Sequence, residues 1–324
     1  MLDVAASDVP LPAAGGILVT VGDLVEDVVV WPAGPARHAT DNHAVIHRTR
    51  GGSAANVAAF ARAAVPAAVP ARFIGCVGSD LVADMLCAEL AGHGVDVRVQ
   101  RRGRTGTIVV LVDGDGERTM YPDRGAAAEL TGVPVSWLDG AAFLHVPSYG
   151  FATEPAASAV LRLIEDAGHA GIPVSVDASS VGMIGEYGVG RYLDLVEAIR
   201  PAVFFANAVE ARLLDVERPQ FAKTITIVKN GAAPTVVTVP GDVSRTVPVP
   251  EAATARDSTG AGDAFAAGFL AARLRGAAPV AAAAAGHELA RSVLFSAGAT
   301  AMRPISGGDP AALPVDWKAR LDRM

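Results

Sequence analysis

The chain is poor in aromatic residues and in cysteine. Phe, Trp and Tyr make up 5% of its 324 residues, and the two cysteines, Cys76 and Cys87, form no Cys-x-x-Cys pair. Two isolated cysteines exclude a disulfide-built scaffold and are typical of reduced thiols in a core or on a helix face. Half of the chain is hydrophobic, much of it alanine and valine. We therefore expect a core of small, closely packed elements.

Positive charge and long hydrophobic runs are also lacking. Lys and Arg total 27 against 34 Asp and Glu, which argues against a general nucleic-acid binder. The longest uncharged stretches, 9–22 and 140–153, are broken by Pro or Gly and are too short to cross a bilayer. No Lys or Arg precedes Arg37, so the basic start of a signal peptide is missing. We expect a cytoplasmic protein without membrane or nucleic-acid partners.

Two common nucleotide-binding patterns are absent. No GxxxxGK[ST] sequence occurs, which disfavours a P-loop NTPase. The first apolar run leads into Val21-Gly-Asp-Leu-Val-Glu26 rather than into GxGxxG, which disfavours a Rossmann dehydrogenase. Any phosphate site must therefore lie elsewhere in the chain.

Apolar runs alternate with helical stretches along the chain. The runs are 17–21, 72–77, 141–145, 173–177, 202–206 and 224–228. The helical stretches are 53–64, 81–91, 154–167 and 191–199, followed by two long alanine-rich ones at 259–275 and 279–297. Short continuous apolar runs fit strands that are covered on both faces. The pattern predicts an α/β fold with a doubly wound, mainly parallel sheet flanked by helices.

Two segments, 24–50 and 95–121, interrupt this alternation. They contain shorter, more polar pieces with an approximate period of two, which favours a small antiparallel flap. Such a flap is suited to act as a lid over the carboxyl edge of the sheet, where ligands bind in these folds. A dimerising or merely decorative extension is an alternative that is compatible with a lid. We expect residues 1–324 to form one α/β domain with this β-lid.

The run Asp257-Ser-Thr-Gly-Ala-Gly-Asp263 carries the clearest chemical signal. It follows a β-like stretch and opens a helix, and its glycines allow a phosphate to approach the backbone closely. Amides at a helix start point outward, and the macrodipole favours an anion there. Asp263 places a carboxylate in the same turn, as phosphoryl transfer requires. An ordinary N-terminal cap is the alternative.

Other candidate residues are individually ambiguous. Gly51-Gly52 ahead of a helix permits close ligand approach but also fits a plain turn. Asn56 can donate to and accept from a hydroxyl. Asp27 lies in an apolar stretch and needs a hydroxyl-rich partner or solvent. Asn207 and Glu210 fit either a Mg²⁺ site or a capping box, and the two are compatible.

The two glycine-rich segments resemble the signatures of the PfkB, or ribokinase-like, family of sugar and nucleoside kinases. Asp257–Gly268 is similar to the C-terminal signature and Gly51–Ala58 to the N-terminal one, in the right order, with similarity over about 17–303. The resemblance implies that Asp263 is the catalytic base. It also implies that the amides of Gly260, Ala261 and Gly262 form the anion hole.

The resemblance assigns further roles. Asp27, Gly51, Gly52 and Asn56 would bind the substrate. The nucleotide would contact a second set of residues, namely Asn207, Lys229, Gly231, Gly260 and Gly262. Glu210 would hold Mg²⁺ through water, and Asp257 and Thr259 a monovalent cation such as K⁺. Arg124 precedes a turn that is similar to the family's substrate-facing turn, and it either binds an acidic substrate or faces solvent.

The sequence thus predicts ATP- and Mg²⁺-dependent phosphorylation of a hydroxyl on a small sugar: ribose, fructose, or a related sugar or sugar acid. Ser53 stands where ribokinases often carry lysine, which weakens a literal ribokinase assignment. A nucleoside kinase is the alternative, with Trp31, Met120 and Tyr121 as a slot for the base. A non-catalytic binding protein would be expected to lose Asp263. A homodimer through the lid is a further expectation.

Overall fold

The computed structural model describes residues 15–64, 68–113, 118–250 and 260–294. Within these ranges the strands are β1 (Ile17–Val21), β2 (Val25–Pro32), β3 (Ala44–Gly51), β4 (Ala71–Val77), β5 (Asp96–Arg101), β6 (Thr105–Val112), β7 (Arg118–Gly125), β8 (Ala141–Pro147), β9 (Val174–Asp177), β10 (Val203–Asn207), β11 (Ile225–Asn230), β12 (Ala233–Thr238) and β13 (Arg245–Val247). The helices are α1 (Ser53–Ala63), α2 (Leu81–Gly92), α3 (Ala156–His169), α4 (Val181–Tyr187), α5 (Val189–Ile199), α6 (Ala208–Leu214), α7 (Ala261–Leu274) and α8 (Pro279–Val293).

The main sheet has the order β13-β12-β11-β10-β9-β8-β1-β4-β5. Its strands from β11 to β5 pair in parallel, and β12 and β13 add an antiparallel edge. All six apolar runs form strands of this sheet, so the prediction of a mainly parallel α/β fold is confirmed. The chain runs outward from β1 in both directions, which places a topological switch point between β1 and β8.

Two hydrophobic cores lie on opposite faces of the main sheet. Helices α1, α2, α7 and α8 bury their apolar residues on one face, and α3 to α6 bury theirs on the other. Small residues allow close packing on the first face. Ala264, Ala267 and Ala271 of α7 are fully buried there. This arrangement agrees with the expected core of small, closely packed elements.

A separate sheet of four strands forms the lid, in the order β3-β2-β6-β7. It differs from the predicted flap in two respects. Strand β5, which lies within the predicted segment 95–121, joins the edge of the main sheet beside β4. In the lid itself β2 and β6 pair in parallel, so the lid is mixed rather than antiparallel. The alternating polar and apolar residues of β5, Asp-Val-Arg-Val-Gln-Arg, differ from the continuous apolar runs of the predicted main strands, which is why the sequence favoured the flap.

Other differences concern short elements. Helix α4, with seven residues, was not predicted, and α6, also with seven, was indicated only by the possible capping box at Asn207 and Glu210. Helix α7 begins at Ala261 rather than at 259, and α8 is described up to Val293. No helix in the described ranges is long and apolar enough to cross a membrane. That the whole chain forms one domain stays a prediction.

Candidate active site

Polar residues collect at the carboxyl ends of the parallel strands. Asp23 follows β1, Asp177 ends β9, Asn207 ends β10, and Lys229 lies near the end of β11. Ligands of open α/β sheets bind at this edge, next to the switch point in strand order. The start of α7 reaches the same place, because Asp263 contacts α1 there.

Asp263 is fixed by two side chains of α1. The hydroxyl of Ser53 donates to its Oδ1 at 2.6 Å, and the amide of Asn56 donates to its Oδ2 at 2.9 Å. The preceding Gly260 adopts a left-handed conformation with φ 76°, and no side chain caps the helix. The first amides of α7 are therefore available to an anion beside a carboxylate of fixed orientation.

Burial raises the pKa of Asp263 from 3.8 to about 6. The hydrogen bonds from Ser53 and Asn56 oppose this rise, because both stabilise the ionised carboxylate, and the nearby Asp177 carboxylate adds to it. A carboxylate with a pKa of about 6 is ionised at neutral pH and is a stronger base than an ordinary Asp. This combination suits a general base.

Arg50 is a buried cation beside Asn56 and Asp263, and it was not identified from the sequence. It is 1% exposed, donates from Nη1 to Asn56 Oδ1, and lies 3.4 Å from a carboxylate oxygen of Glu89. Asn56 thus accepts from Arg50 while it donates to Asp263, which fixes the orientation of its amide. Arg50 is the last residue of the predicted lid segment 24–50, and the neighbouring sequence gives no sign that its side chain turns inward.

Asp27 lies on β2 and is also buried. Burial and the Asp263 carboxylate raise its pKa to about 7, against the opposing effect of Arg50. Its Oδ1 has no hydrogen-bond partner among the described residues. A buried acceptor without a partner is costly unless a ligand satisfies it. A substrate hydroxyl would do so.

Gly51 and Gly52 are required by the close packing around Asp27 and Asp23. A Cβ at Gly51 would collide with the Asp27 carboxylate, and one at Gly52 with the backbone oxygen of Asp23. Gly52 also has φ 97°, which favours glycine. Whether either glycine touches a substrate stays a prediction, but both are needed for this local geometry.

Lys229 is paired with Asp177 at the carboxyl ends of β11 and β9. Its Nζ lies 2.6 Å from Asp177 Oδ2, and both side chains are largely buried. Burial lowers the pKa of Lys229, but Asp177 outweighs it, so the net shift is upward. A Cβ at Gly262 would lie 3.5 Å from this ammonium, so Lys229 faces the start of α7. Asp177 was not identified from the sequence, although it ended a predicted strand.

Asn207 and Glu210 form a capping box at the start of α6. The Asn207 side chain accepts from the amides of Val209 and Glu210, and Glu210 accepts from the Asn207 amide at 2.7 Å. Burial, with Asp177 nearby, raises the pKa of Glu210. The capping box, which the sequence left as an alternative to a Mg²⁺ site, is therefore present. A magnesium role for the same residues stays a prediction.

The donor set fits Mg²⁺ only in an indirect role. Glu210 and Asp177 supply hard oxygen donors, but the described residues contain no group of three or more side chains that could hold a metal ion by themselves. Such a site suits an ion that keeps waters and phosphate oxygens as ligands. Asp257 and Thr259, predicted to bind a monovalent cation, lie outside the described residues. Gly231 forms the exposed β11–β12 turn with φ 61°.

Arg124 lies at the end of the lid strand β7 and binds Asp23. Its Nε and Nη2 donate to the two Asp23 oxygens at 2.8 and 2.7 Å, and its Nη1 donates to Thr153 at 2.9 Å. Arg124 is thus not a solvent-facing hairpin residue. Asp23 is the partner that sequence reasoning missed, although its position directly after the first strand was a usable signal.

A groove of about 600 Å³ lies beside α6. It is lined by α6 and by one face of the β11–β12 hairpin, including Val228 and Asn230. Side chains alternate along a strand, so this face is opposite to that of Lys229. The groove therefore does not include the polar residues around Asp263.

Comparison with known proteins identifies the family. The pattern of the pfkB family of carbohydrate kinases matches residues 18–306. A fructokinase from Klebsiella pneumoniae is 32% identical over 215 residues, which is 61% of this chain and 69% of that protein. An ATP-dependent ribose-1-phosphate kinase from Halopiger xanaduensis is 34% identical over 231 residues, 68% of this chain and 72% of that protein.

Solved structures show the same fold. An adenosine kinase from Sinorhizobium meliloti superposes with a TM-score of 0.79 at 21% identity, covering 90% of this chain and 97% of the other. A ribokinase from Thermotoga maritima gives 0.72 at 20% identity, covering 88% and 94%. The predicted ribokinase-like fold is confirmed. Since the family pattern spans most of the chain, including α1 and α7 around Asp263, this protein is a carbohydrate kinase of the pfkB family.

Proposed function

We propose that the protein transfers the γ-phosphoryl group of ATP to a hydroxyl of a small sugar, such as ribose, fructose, or a related sugar or sugar acid. The observation that carries this proposal is the Asp263 carboxylate, which Ser53 and Asn56 orient at the uncapped start of α7. A base and an anion-binding turn adjoin each other there. Phosphoryl transfer needs this combination, since positioning and electrostatics carry most of the reaction.

Asp263 accepts the proton of the substrate hydroxyl, and the resulting oxygen nucleophile attacks the γ-phosphorus. The amides of Gly260, Ala261 and Gly262 stabilise the negative charge of the transferred group. Lys229 adds a positive charge, since its ammonium faces Gly262. To contact a phosphate the ammonium needs only to share its three donors between Asp177 and the ligand.

Kinases of this family use ATP and Mg²⁺. Glu210, through water, is the residue of this chain that would hold the ion, with Asn207 beside it at the phosphate end of the nucleotide. When bound, Mg²⁺ neutralises phosphate charge and aligns the phosphates. Lys229 and Gly231 border the same end of the site. Activation by K⁺ through Asp257 and Thr259 belongs to the proposal as well.

The acceptor binds on the lid side. Asp27 is placed to accept a hydrogen bond from a sugar hydroxyl, because its Oδ1 has no partner among the described residues. Asn56 and the backbone at Gly51 and Gly52 border the same space. Arg124 reaches it from β7. In this proposal the lid strands bring the acceptor to the base, which is carried by α7.

A nucleoside acceptor is the alternative within the family. Strand register gives it partial support, because Trp31 and Met120 share the face of the lid that carries Asp27. Tyr121 lies on the opposite face, so it does not belong to a slot for a base on this side. A competition assay that measures whether sugars or nucleosides are the preferred acceptor separates the two alternatives.

The test is an ATP-consumption assay over sugars, sugar acids and nucleosides, with Mg²⁺ and with K⁺ present or absent. We expect at least one acceptor to stimulate turnover. The variant Asp263→Asn should bind ATP and acceptor normally yet lose about 100-fold or more in kcat, as is typical of a missing general base. No stimulation by any hydroxyl acceptor, or near-normal activity of Asp263→Asn, would contradict the proposal.

We also propose that two copies of the chain meet through their lids. The lid face opposite Asp27 exposes three apolar side chains, since Ile46, Leu111 and Tyr121 are 61%, 36% and 57% exposed. Cross-strand register places all three on this one face. An apolar patch of this kind is typical of an interaction surface.

A further inference from the structure

The acceptor side of the site is dominated by carboxylates. Burial and the Asp263 carboxylate raise the pKa of Asp27, with Arg50 opposing this rise, and burial and the Asp177 carboxylate raise the pKa of Asp263. Arg50 is already engaged by Asn56 and Glu89 and is fully buried. Its positive charge therefore offsets carboxylates of the protein itself, and its burial keeps it from meeting an acceptor.

Arg124 is the second cation of this region, and its charge is compensated. The guanidinium and the Asp23 carboxylate form two parallel hydrogen bonds, with side-chain exposures of 15% and 12%. A bidentate pair of this type is the strongest arrangement that these two groups offer each other. A third N–H is bound to Thr153. Arg124 has five N–H groups in all, so it retains capacity for a neutral hydroxyl.

The pair adjoins the catalytic base rather than a remote surface. The Asp23 backbone packs against Gly52, the residue directly before α1, and α1 carries Ser53 and Asn56. Tyr149 interacts electrostatically with both Arg124 and Asp263. The Asp23–Arg124 pair and Asp263 therefore both border the start of α1, so an acceptor bound at Asp263 would approach the pair.

We propose that Asp23 neutralises Arg124 and thereby restricts the acceptor to uncharged sugars, so that sugar phosphates and sugar acids are poor substrates. The inference rests on the proposed function and narrows its substrate class. Asp23 is in this view a specificity-determining residue. Arg124 contributes a hydrogen bond to a hydroxyl instead of a charge to an anion.

The physical reason is competition. An anionic acceptor would have to displace Asp23 from Arg124, which would leave the Asp23 carboxylate largely buried without its cation. Separating such a pair is costly. The anion would also be held close to Asp27 and Asp263, whose like charges repel it. A neutral hydroxyl meets neither penalty, so rejection of anions follows from repulsion as well as from missing attraction.

The experiment compares matched neutral and anionic ligands by isothermal titration calorimetry, with and without a non-hydrolysable ATP analogue. The pairs are ribose with ribose 1-phosphate, fructose with fructose 6-phosphate, and glucose with gluconate. Ribose 1-phosphate is included because one relative is named as a kinase of that sugar. We expect the neutral member of the best-bound pair to bind at least about tenfold more tightly to the wild type.

The variant Asp23→Asn keeps the shape of the side chain and removes its charge. It should shift the ratio of anionic to neutral affinity by about tenfold or more towards the anion. Asp123→Asn is the matched control, because Asp123 also pairs with an arginine of the lid, Arg104, but both are exposed. This control should leave the ratio unchanged. Thermal unfolding checks that all variants are folded.

A second variant keeps the test decisive if Asp23→Asn folds poorly. Arg124→Gln should not weaken anionic ligands more than neutral ones, whereas a site that reads anions through Arg124 would lose them selectively. Tighter anionic binding to the wild type, or an unchanged ratio in Asp23→Asn, would overturn the inference. If neutral sugars bind preferentially but none is phosphorylated, the inference holds and the proposed function is contradicted. If a sugar phosphate is the preferred acceptor and is phosphorylated, the proposed kinase activity holds and the inference is overturned.

Discussion

Asp263 owes its properties to residues that are far apart in the sequence. Ser53 and Asn56 from α1 orient it, Asp177 and Lys229 from the sheet edge set its electrostatic surroundings, and Arg50 fixes Asn56 in turn. A carboxylate in the first turn of a helix would ordinarily have a lowered pKa. Here burial dominates and the pKa is raised. The strength of the base is thus a property of the assembled site.

The pH dependence of the reaction follows from this shift. Asp263 must be ionised to accept a proton, and its pKa is about 6 rather than 3.8. We therefore expect kcat/KM to fall as the pH drops through about 6, as a pH–rate profile of the free enzyme would show. An acid limb near 4 would contradict this expectation.

Ser53→Ala gives the matching control for the pH profile. The Ser53 hydrogen bond stabilises the ionised carboxylate, so its removal should raise the pKa of Asp263 further and move the acid limb to higher pH. A limb that stays in place in this variant would show that another group titrates.

At the level of secondary structure, an ion pair connects two strands that are not adjacent. Lys229 of β11 reaches across β10 to Asp177 at the end of β9, and both are largely buried. The Lys229→Met variant would leave the Asp177 carboxylate buried without its cation. We expect it to lower the free energy of unfolding by about 3 kcal/mol, measured by urea denaturation at pH 7.

The double variant Asp177→Asn/Lys229→Met tests the cause of that loss. Because it removes both charges, it should recover a large part of the stability that Lys229→Met loses. Equal losses in the single and double variants would show that the Lys229 side chain contributes through packing rather than through its charge.

Helices α7 and α8 pack so closely that side chains are excluded between them. A Cβ at Gly286 would lie 2.8 Å from the backbone oxygen of Phe265. Gly286→Ala should therefore destabilise the protein by about 1–3 kcal/mol in thermal or urea unfolding, since the helices must move apart.

The matched control is Gly185→Ala in α4, where a Cβ would meet nothing within 4 Å. Because alanine has the higher helix propensity, this change should be neutral or stabilising by up to about 1 kcal/mol. Similar losses at both positions would indicate that Gly286 matters for a reason other than helix packing.

Periodicity identified the long elements and failed on short ones. The parallel strands are continuous apolar runs, so their existence follows from their composition. Helix α6 has seven residues and begins in the capping box of Asn207, and α4 has two glycines within seven residues. Neither is long enough to show a helical period, and tertiary packing decides both. Strand β5, Asp-Val-Arg-Val-Gln-Arg, looked like part of the lid because its polar and apolar residues alternate, whereas the predicted main strands are continuous apolar runs.

At the scale of the whole molecule, the exposed lid face predicts the oligomeric state. We expect a mass of twice 33.0 kDa by size-exclusion chromatography with light scattering. Ile46→Lys should yield monomers, because a charge on the shared apolar face opposes pairing of two copies. Val243→Lys is the control, since Val243 is 75% exposed but lies outside the lid. A monomeric wild type would contradict the prediction.

The fold class, the family resemblance, and Asp263, Asp27 and Asn56 as site candidates could all be predicted from the sequence. These predictions were possible because apolar runs report burial and because signature residues lie within short segments. The surroundings of these residues became visible only in the folded chain. Arg50, Asp177 and Asp23 act on the site across sequence distances that no local pattern records, and burial, which sets the pKa of Asp263, exists only once the chain has folded.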